Sequence, residues 1–337
     1  MPLLPQGSSL YVNAPLTNIS VAYQQGPNSR NFIAADAFPI VPVQRQGDLY
    51  WKYDKGDWFR GQAELRAPST ESAGGGWEVT TDSYFANVYA FHKDVDDQTR
   101  ANASRMFDLD RDATLFVTQN LLQAREKQFV DTFITTGVWT GSTGIGGGAN
   151  GADLTGGATA GSNQFVQWDR AGSDPIADIK FQGVGMARTT GYRPNTLILG
   201  PFVMEALMRN PAILERIKYS ERGIITEDLL RGLFEVDRVL VTWAIENTAN
   251  QGATDAFDFM SGKSALLCYT APNPSIMTPT AGYIFAWAGF LGAGAAGTRV
   301  KRFRMEHLES DRIEGEMAWD MKVVSNDMGV YFDAAVQ

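Results

Sequence analysis

The longest uninterrupted pattern in the sequence is helical and runs from about residue 97 to 136. It contains no proline or glycine, and Gly137 marks its end. One apolar stripe advances by three and four positions through Met106, Leu109, Ala113, Phe116, Val117, Asn120 and Ala124. A second stripe on roughly the opposite side consists of Leu115, Leu122, Phe129 and Phe133. The pattern predicts a spine helix roughly 60 Å long. Two interpretations are open. The helix is the core helix of a large domain, or its own domain covers one stripe and a different partner covers the other.

Two other patterns precede this helix. Residues 1 to about 45 carry several prolines and short apolar runs, which predicts an extended arm without a core of its own. Residues 49–65 and 77–95 are rich in aromatic side chains and threonine, which predicts a long two-stranded flap. A lone hairpin is marginal in water, so we expect a neighbouring subunit to cover Trp51, Trp58, Phe59 and Trp77.

The chain after the spine begins with a glycine-rich segment, 141–174, for which we predict a mobile loop. Asp174 and Pro175 then open a helix that ends near Gly191. Apolar strands and short helices alternate from there to about residue 290, which predicts a compact mixed unit. Helices are expected at PFVMEALMRN and TEDLLRGLF, and buried strands at TLILG, RVLVTWAIEN, SALLCYT and YIFAWAG.

The C-terminal run predicts antiparallel strands with one face in solvent, because apolar and polar residues alternate along it. The apolar positions are Val300, Phe303, Met305, Met317, Trp319, Met321 and Val323. The spine helix is the expected partner of this apolar face. Four cations, Arg299, Lys301, Arg302 and Arg304, form the one local basic cluster. It either faces inward in an assembly or, as we favour, pairs with neighbouring acidic residues.

Composition excludes several classes of function. The 337 residues carry a net charge of −9, so the chain lacks the basic surface that drives nucleic-acid binding. The single cysteine, Cys268, rules out a disulfide within the chain and favours a reducing cytosol. No secretory signal and no apolar run long enough to span a membrane are evident, so we expect a soluble protein without a membrane partner.

The sequence contains fragments that resemble catalytic or metal-binding motifs, but each lacks a residue that the motif requires. The run SGKS at 261–264 resembles the end of a phosphate loop, but Phe257 stands where that loop needs glycine. Only His92 and His307 could supply an imidazole base. The aspartates at 108, 110 and 112 have calcium-loop spacing, yet Ala113 replaces the required glycine. We therefore predict no enzyme activity, no catalytic residue, no cofactor and no metal.

Four stretches carry a resemblance that extends over essentially the whole chain. They are IAADAFPIVPVQRQ, KGDWFRGQAELRAPSTESAGGG, YAFHKDVDDQTRAN and TEDLLRGLFEVDRVLVTWAIENTA. With the order arm, flap, spine and mixed unit, they resemble the major capsid proteins of tailed bacteriophages. The resemblance implies an α+β protein with the Hong Kong 97-like capsid fold: an N-arm, an extended β-hairpin loop, a long spine helix in a peripheral domain, and a mixed α/β axial domain.

The resemblance also implies a division of the chain. The expected parts are the N-arm (1–45), the extended loop (46–92), the peripheral domain (93–140 and 298–337), the glycine-rich loop (141–174) and the axial domain (175–297). The extended loop would lie across the neighbouring subunit. The implied contact residues between subunits are Trp51, Trp58, Phe59, Arg60, Arg66, Glu71, Trp77, Leu115, Leu122, Phe129 and Phe133.

The implied function is a structural one. The chain would self-assemble as pentamers and hexamers into the icosahedral head of a tailed phage, in the host bacterial cytoplasm. Expected partners are the portal, a separate scaffolding protein because Met1 leads almost directly into the arm, and in some particles a decoration protein. Packaged double-stranded DNA would touch the shell weakly. The alternative is an encapsulin-type nanocompartment shell, and a hydrolase with an unusual active site is the rival from another class.

Some relatives of this kind cross-link a loop lysine to an asparagine of the next subunit. Lys52, Lys55 and Asn326 could supply those groups here. We expect the two lysines to form salt bridges or to face solvent instead.

Overall fold

The computed structural model describes residues 31–102, 108–141, 153–161, 163–218, 226–274, 278–291 and 298–337. Most of the predicted N-arm (1–30) lies outside the described residues, as do Met106, positions 142–152 of the predicted glycine-rich loop, and residues 292–297. Within the described part, no helix is both long enough and apolar enough to cross a bilayer.

Helices and strands alternate irregularly along the chain. The helices are α1 (Ala34–Ala37), α2 (Lys55–Trp58), α3 (Asp97–Asn102), α4 (Leu109–Phe133), α5 (Pro175–Thr190), α6 (Pro201–Arg209), α7 (Pro211–Ile217), α8 (Glu227–Phe234) and α9 (Ala288–Leu291). The strands are β1 (Ile40–Val43), β2 (Gly47–Tyr53), β3 (Val79–Phe85), β4 (Asn87–Asp96), β5 (Asp153–Gly157), β6 (Gln164–Val166), β7 (Thr196–Leu199), β8 (Arg238–Val241), β9 (Ile245–Asn247), β10 (Phe257–Phe259), β11 (Ala265–Cys268), β12 (Gly282–Trp287), β13 (Thr298–Met305), β14 (Ser310–Val323) and β15 (Gly329–Asp333).

A six-stranded mixed sheet organises the middle of the chain. Its order is β6-β5-β15-β11-β7-β8, and β11 runs antiparallel to both of its neighbours. Strands β7 and β11 are buried throughout, as expected for apolar runs in the centre of a sheet. Helix α5 packs against β15, α7 and α8.

Helix α5 begins and ends where the sequence predicts. The Asp174 carboxylate accepts hydrogen bonds from the backbone N–H groups of Ile176 and Ala177, each at 3.1 Å. Pro175 occupies the first turn, where a missing N–H costs nothing. Gly191 ends the helix with φ 77°, a left-handed conformation that favours glycine.

A second, five-stranded sheet is built around the long strand β14. Its order is β1-β12-β14-β13, and β4 also pairs with β14 over ten residue pairs. Helix α4, the predicted spine, packs on β14 and β4. A Cβ atom on Gly315 would lie 2.6 Å from Val117 and 2.9 Å from Leu121, so only glycine permits this close approach. The predicted contact between the spine and the C-terminal strands is therefore confirmed.

The spine helix is shorter than the sequence pattern suggests. Helix α4 starts anew at Asp108, whose side chain caps the Arg111 N–H at 3.2 Å, and its 25 residues span about 37 Å. The rod predicted over 97–136 is therefore wrong. The predicted first stripe is also partly wrong, because Phe116 is 51% exposed whereas Thr114 and Thr118 are buried.

The two threonines tolerate burial because each hydroxyl donates to a carbonyl one turn earlier. Thr114 Oγ1 donates to the Asp110 oxygen at 2.7 Å, and Thr118 Oγ1 donates to the Thr114 oxygen at 2.8 Å. A polar side chain that satisfies itself within its own helix can face the core at little cost. Spacing alone does not reveal this.

Strand pairing departs from the predicted division of the chain. Strand β12 belongs to the five-stranded sheet with β14, although it was expected in the axial unit. Strand β15 belongs to the six-stranded sheet with β11, although the C-terminus was expected in the peripheral unit. Strands β5 and β6 lie inside the predicted glycine-rich loop, so that prediction is wrong for residues 153–157 and 164–166.

Candidate subunit interfaces

The predicted flap is present as a separate two-stranded sheet. Strands β2 and β3 pair antiparallel over seven residue pairs, from Gly47 with Phe85 to Tyr53 with Val79. The short helix α2 follows β2 directly, and the described chain contains no helix or strand between Phe59 and Glu78. The two long strands predicted for this region are therefore shorter than expected. Residues 87–96 form β4 and pair with β14 instead of with the flap.

The aromatic side chains of the flap are exposed in the isolated subunit. Trp51 is 61% exposed, Trp58 54%, and Phe59 and Trp77 are each 62% exposed. The rings of Trp58 and Trp77 are 6.0 Å apart, and Tyr53 meets Trp58 edge-on at 6.4 Å. An apolar cluster of this size on a thin hairpin is typical of a surface that another protein covers.

The polar residues predicted for this interface are also on the surface. Arg60, Arg66 and Glu71 are exposed, and Arg66 Nε donates to the Thr70 carbonyl at 2.5 Å within the connecting segment. Leu115 on the spine helix is half-buried. For these residues and the flap aromatics, the contact with another subunit stays a prediction.

Three other predicted contact residues are core residues. Leu122 is 3% exposed, and Phe129 and Phe133 are fully buried. The Phe38 ring lies 5.8 Å from that of Phe129 and 4.3 Å from that of Phe133, so the chain's own N-terminal segment covers them. Their assignment to a contact with another subunit is therefore corrected, because no surface of these side chains remains for a neighbour.

The base of the flap is anchored by an aromatic contact that was not predicted from the sequence. The Tyr84 ring stacks on that of Phe285 at 4.5 Å, and the Tyr50 ring lies 5.7 Å from Phe285. The Phe85 backbone N–H donates to Asp320 Oδ2 at 2.9 Å. The signal in the sequence is the alternation along β2, which places Tyr50 on the opposite face from Leu49 and Trp51. The flap is thus fixed at one end.

The far side of the flap touches the same subunit at two points. Lys55 forms an ion pair with Asp327. A Cβ atom on Gly191 would lie 3.1 Å from the Phe59 ring, so this ring rests on the end of α5. Lys52 pairs with Asp82 across the flap at 3.0 Å. Both lysines therefore form salt bridges, one of the two outcomes expected for them.

The Tyr50 hydroxyl belongs to the same polar group on the flap. It donates to Asp82 Oδ2 at 2.9 Å, and Lys52 binds the same oxygen. Burial and the Asp82 carboxylate raise the pKa of Tyr50. The phenol therefore stays protonated at neutral pH and can donate this hydrogen bond.

A buried glutamate fastens the N-terminal segment to the spine helix. The two carboxylate oxygens of Glu126 accept the backbone N–H groups of Ile33 and Ala34, at 3.1 and 3.0 Å. Arg125, also buried, precedes it on α4. Arg238 of β8 donates to the Asp36 carbonyl at 2.6 Å. The segment around α1 is therefore held both by the spine helix and by strand β8 of the six-stranded sheet. Neither contact had a sequence signal, because the partners are about 90 and 200 positions apart.

This glutamate should make stability depend on pH. Burial raises the pKa of Glu126 to about 7, although the two backbone donors and Arg125 act in the opposite direction. A carboxyl whose pKa is higher in the folded state stabilises the fold while it is protonated. That contribution is lost as pH rises from about 4.5 to about 7.

The variant Glu126→Gln isolates this effect because it cannot titrate. We expect the unfolding free energy of the wild type to fall relative to that of the variant by up to about 3 kcal/mol across this pH range. Urea denaturation at pH 4.5, 5.5, 6.5 and 7.5 measures the difference, and groups common to both proteins cancel. Parallel curves for the two proteins would contradict the expectation.

The basic cluster near the C-terminus is paired with acidic residues, as expected from the sequence. Arg299 donates from Nε to Glu316 at 3.0 Å, and Lys301 pairs with the same carboxylate. Arg302 binds Asp311 at 2.7 Å, and Arg304 binds Asp97 at 2.5 Å. These ion pairs link α3, β13 and β14. The cations are largely neutralised, which leaves no strong anion-binding surface here.

Among the described residues, no group of three or more His, Cys, Asp or Glu side chains could hold a metal ion. The SGKS segment forms a turn before β11: the Gly262 carbonyl accepts the Phe202 N–H at 3.2 Å, and the Lys263 carbonyl accepts the Ala335 N–H at 2.7 Å.

The chain is similar in sequence to two phage proteins. It is 26% identical over 263 residues to the major capsid protein of Burkholderia phage BcepMu, which covers 77% of this chain and 76% of that protein. It is 23% identical over 328 residues to the major capsid protein of Pseudomonas phage JBD67, covering 96% and 97% of the two chains. No protein-family model matches the chain.

Solved structures with the same fold include phage capsid proteins and an encapsulin. A phage-related protein from Bordetella bronchiseptica RB50 superposes with a TM-score of 0.69 at 20% identity, over 97% of this chain and 99% of that chain. The capsid of Ralstonia phage GP4 gives 0.55 at 12% identity, over 100% and 95%. The SrpI encapsulin of Synechococcus elongatus PCC 7942 gives 0.53 at 10% identity, over 100% and 93%. The chain therefore has the Hong Kong 97-like α+β fold, as predicted from its resemblance.

Proposed function

We propose that this chain is the major capsid protein of a tailed bacteriophage, a structural subunit that self-assembles into the icosahedral shell around double-stranded DNA. The observation that carries this proposal is the similarity to a phage major capsid protein along 96% of the chain. The fold supports it, since capsid proteins share it. The exposed aromatic flap supports it as well, because such an apolar surface is typical of one that another protein covers.

The encapsulin-type nanocompartment is the second candidate, because an encapsulin shares the fold. Fold similarity at 10% identity says nothing about cargo. Both sequence relatives are major capsid proteins of phages, which favours the phage shell. The two functions differ in what the shell encloses: nuclease-protected DNA in a phage head and protein in an encapsulin.

The parts of the subunit have distinct roles in this proposal. The flap lies across the neighbouring subunit and buries Trp51, Trp58, Phe59 and Trp77 there, with Arg60, Arg66 and Glu71 at its edge. The unit built on the six-stranded sheet is the axial part and meets its copies in pentamers and hexamers. The unit built on β14 and the spine helix is the peripheral part. Head-to-tail contacts of this kind close into rings.

Further partners follow from the same proposal. A portal occupies one vertex, a separate scaffolding protein guides assembly in the host cytoplasm, and a decoration protein binds the outside in some particles. Packaged DNA makes weak, screened contact with a chain of net charge −9. The subunit has a structural role and catalyses no reaction.

Protein composition of purified phage particles tests the proposal. We expect mass spectrometry to identify this chain as the most abundant virion protein, in particles whose DNA resists nuclease until the shell is disrupted. Particles that contain this chain and a protein cargo without DNA would favour the encapsulin. Phage particles that lack the chain would overturn the proposal.

A further inference from the structure

The flap is a lever about 20 Å long, because β2 carries the chain outward over seven residues. The Tyr84 ring and the Phe85 N–H hold its base on Phe285 and Asp320. A two-stranded ribbon twists readily, and a swing of about 20° at the base would move the far end by about 7 Å. The base contacts alone therefore do not fix the position of the outer aromatic rings.

The far end of the flap is a small unit with its own internal contacts. We call it the flap tip: helix α2 together with Trp77 and Glu78. The Asp57 carboxylate accepts the Glu78 backbone N–H at 3.0 Å, which ties α2 to the start of β3. The rings of Trp58 and Trp77 lie 6.0 Å apart. The flap tip and its tryptophan pair should therefore move as one body.

The flap tip rests on its own subunit through residues that flank the tryptophan pair. Lys55 and Phe59 are four positions apart, so they lie on one side of the single turn of α2. Lys55 forms the ion pair with Asp327, and the Phe59 ring rests on Gly191 at the end of α5. Trp58 and its partner ring remain more than half exposed.

The acceptor of this ion pair stands on a fixed part of the subunit. Asp327 lies in the turn before β15, and backbone hydrogen bonds hold the residues on both sides of it. The Asn326 carbonyl accepts the Thr140 N–H at 2.8 Å, and the Met328 carbonyl accepts the Tyr269 N–H at 3.0 Å. The carboxylate therefore offers the flap a second point of attachment, far from its base.

We propose that Lys55 and Asp327 are positioning residues. Their ion pair, together with Phe59 on the end of α5, braces the flap tip so that Trp58 and Trp77 face away from their own subunit. The consequence for assembly rests on the proposed shell function. A braced flap presents the tryptophan pair in a fixed place, so less conformational freedom is lost when a neighbour binds it.

Reversing the charges one at a time and then together tests the brace. Lys55→Asp places two carboxylates opposite each other, and Asp327→Lys places two ammonium groups there. The double variant Lys55→Asp, Asp327→Lys restores opposite charges in exchanged positions. The ion pair is partly solvated, so the melting temperature of each protein should stay within about 3 °C of the wild type. If a single reversal fails to fold, Lys55→Met replaces it.

Double electron–electron resonance measures the position of the flap tip in the isolated subunit, below the concentration at which it assembles. Spin labels are attached at Glu78→Cys on the flap tip and at Glu215→Cys on α7, both exposed positions. Cys268 is buried and should take up no label. We expect one narrow distance distribution with the native or the exchanged pair, and one at least about twice as broad in each single reversal. Equal distributions in all four proteins would overturn the brace.

Sedimentation velocity of the unlabelled proteins measures the consequence for assembly. Each single reversal should need at least about fivefold more protein to assemble, and the double variant should return to within about twofold of the wild type. Single reversals that assemble at the wild-type concentration, or below it, would overturn the positioning role. A wild-type protein that never assembles would refute the proposed function and leave the resonance result for the brace intact.

Discussion

Replacing Phe129 by Asp is expected to unfold the subunit and not merely to block assembly. The Phe129 ring is fully buried between α4 and the N-terminal segment, where it contacts Phe38 and Phe133. Removing it leaves a cavity, and the new carboxylate has no partner in this apolar cluster. We expect a loss of at least about 4 kcal/mol in unfolding free energy. Urea denaturation or thermal melting of the purified variant measures it.

Ala124→Asp is the matched control for this change. It introduces the same charge on the same helix, but Ala124 is exposed. We expect its stability to stay within about 0.5 kcal/mol of the wild type. A Phe129→Asp protein that melts normally and fails only to assemble would contradict the account, and would restore this side chain to an interface between subunits.

Removing two aromatic side chains from the flap should have the opposite effect. In the double variant Trp58→Ser, Trp77→Ser, both substituted positions are more than half exposed, so the subunit should fold normally. If a neighbouring subunit covers these rings, their loss removes two large apolar anchors from the contact. We expect the protein concentration needed for assembly to rise at least about a hundredfold, as measured by sedimentation velocity.

The conservative pair Trp58→Phe, Trp77→Phe controls for the substitution itself. It keeps an apolar ring at each position, so assembly should stay within about tenfold of the wild type. Normal assembly of the serine variant would show that no neighbour covers these rings. A large drop in its melting temperature would show that the rings support their own subunit.

Local signals predicted local structure well. The helix that starts at Asp174 and ends at Gly191 was predicted to within a residue, because an N-cap, an N1 proline and a left-handed glycine specify both ends. Thr226 likewise caps α8, where its side-chain oxygen Oγ1 accepts the Leu229 N–H at 3.4 Å. In both helices, the residues that decide the ends are within one turn of them.

The buried face of the spine helix was harder to predict. Apolar spacing gave two stripes, and the buried face contains residues from both of them. Phe116 is exposed although it is large and apolar, whereas Thr118 and Glu126 are buried. Glu126 can be buried because the backbone of Ile33 and Ala34, more than 90 positions earlier, binds its carboxylate. Partners at that distance in sequence leave no periodic signal.

Sheet membership was the part that the sequence could not specify. Strand β12 was predicted as a buried strand and β15 as part of the alternating C-terminal run, and neither pattern says which sheet receives the strand. The pairing of β15 with β11 joins residues 61 to 67 positions apart, and that of β12 with β14 joins residues 33 to 41 apart, so both follow from tertiary packing. The exposed surface of the flap, in contrast, could be predicted from the sequence. A lone two-stranded hairpin cannot bury so many aromatic side chains, so they were expected on its surface.

An electron cryomicroscopy reconstruction of particles assembled from the purified chain shows directly which surfaces neighbouring subunits cover. We expect closed shells in which the flap of each subunit lies on the adjacent copy, which covers Trp58 and Trp77, while Phe129 and Phe133 remain inside their own subunit. Monomers at every concentration, or shells in which the flap contacts only its own subunit, would contradict it.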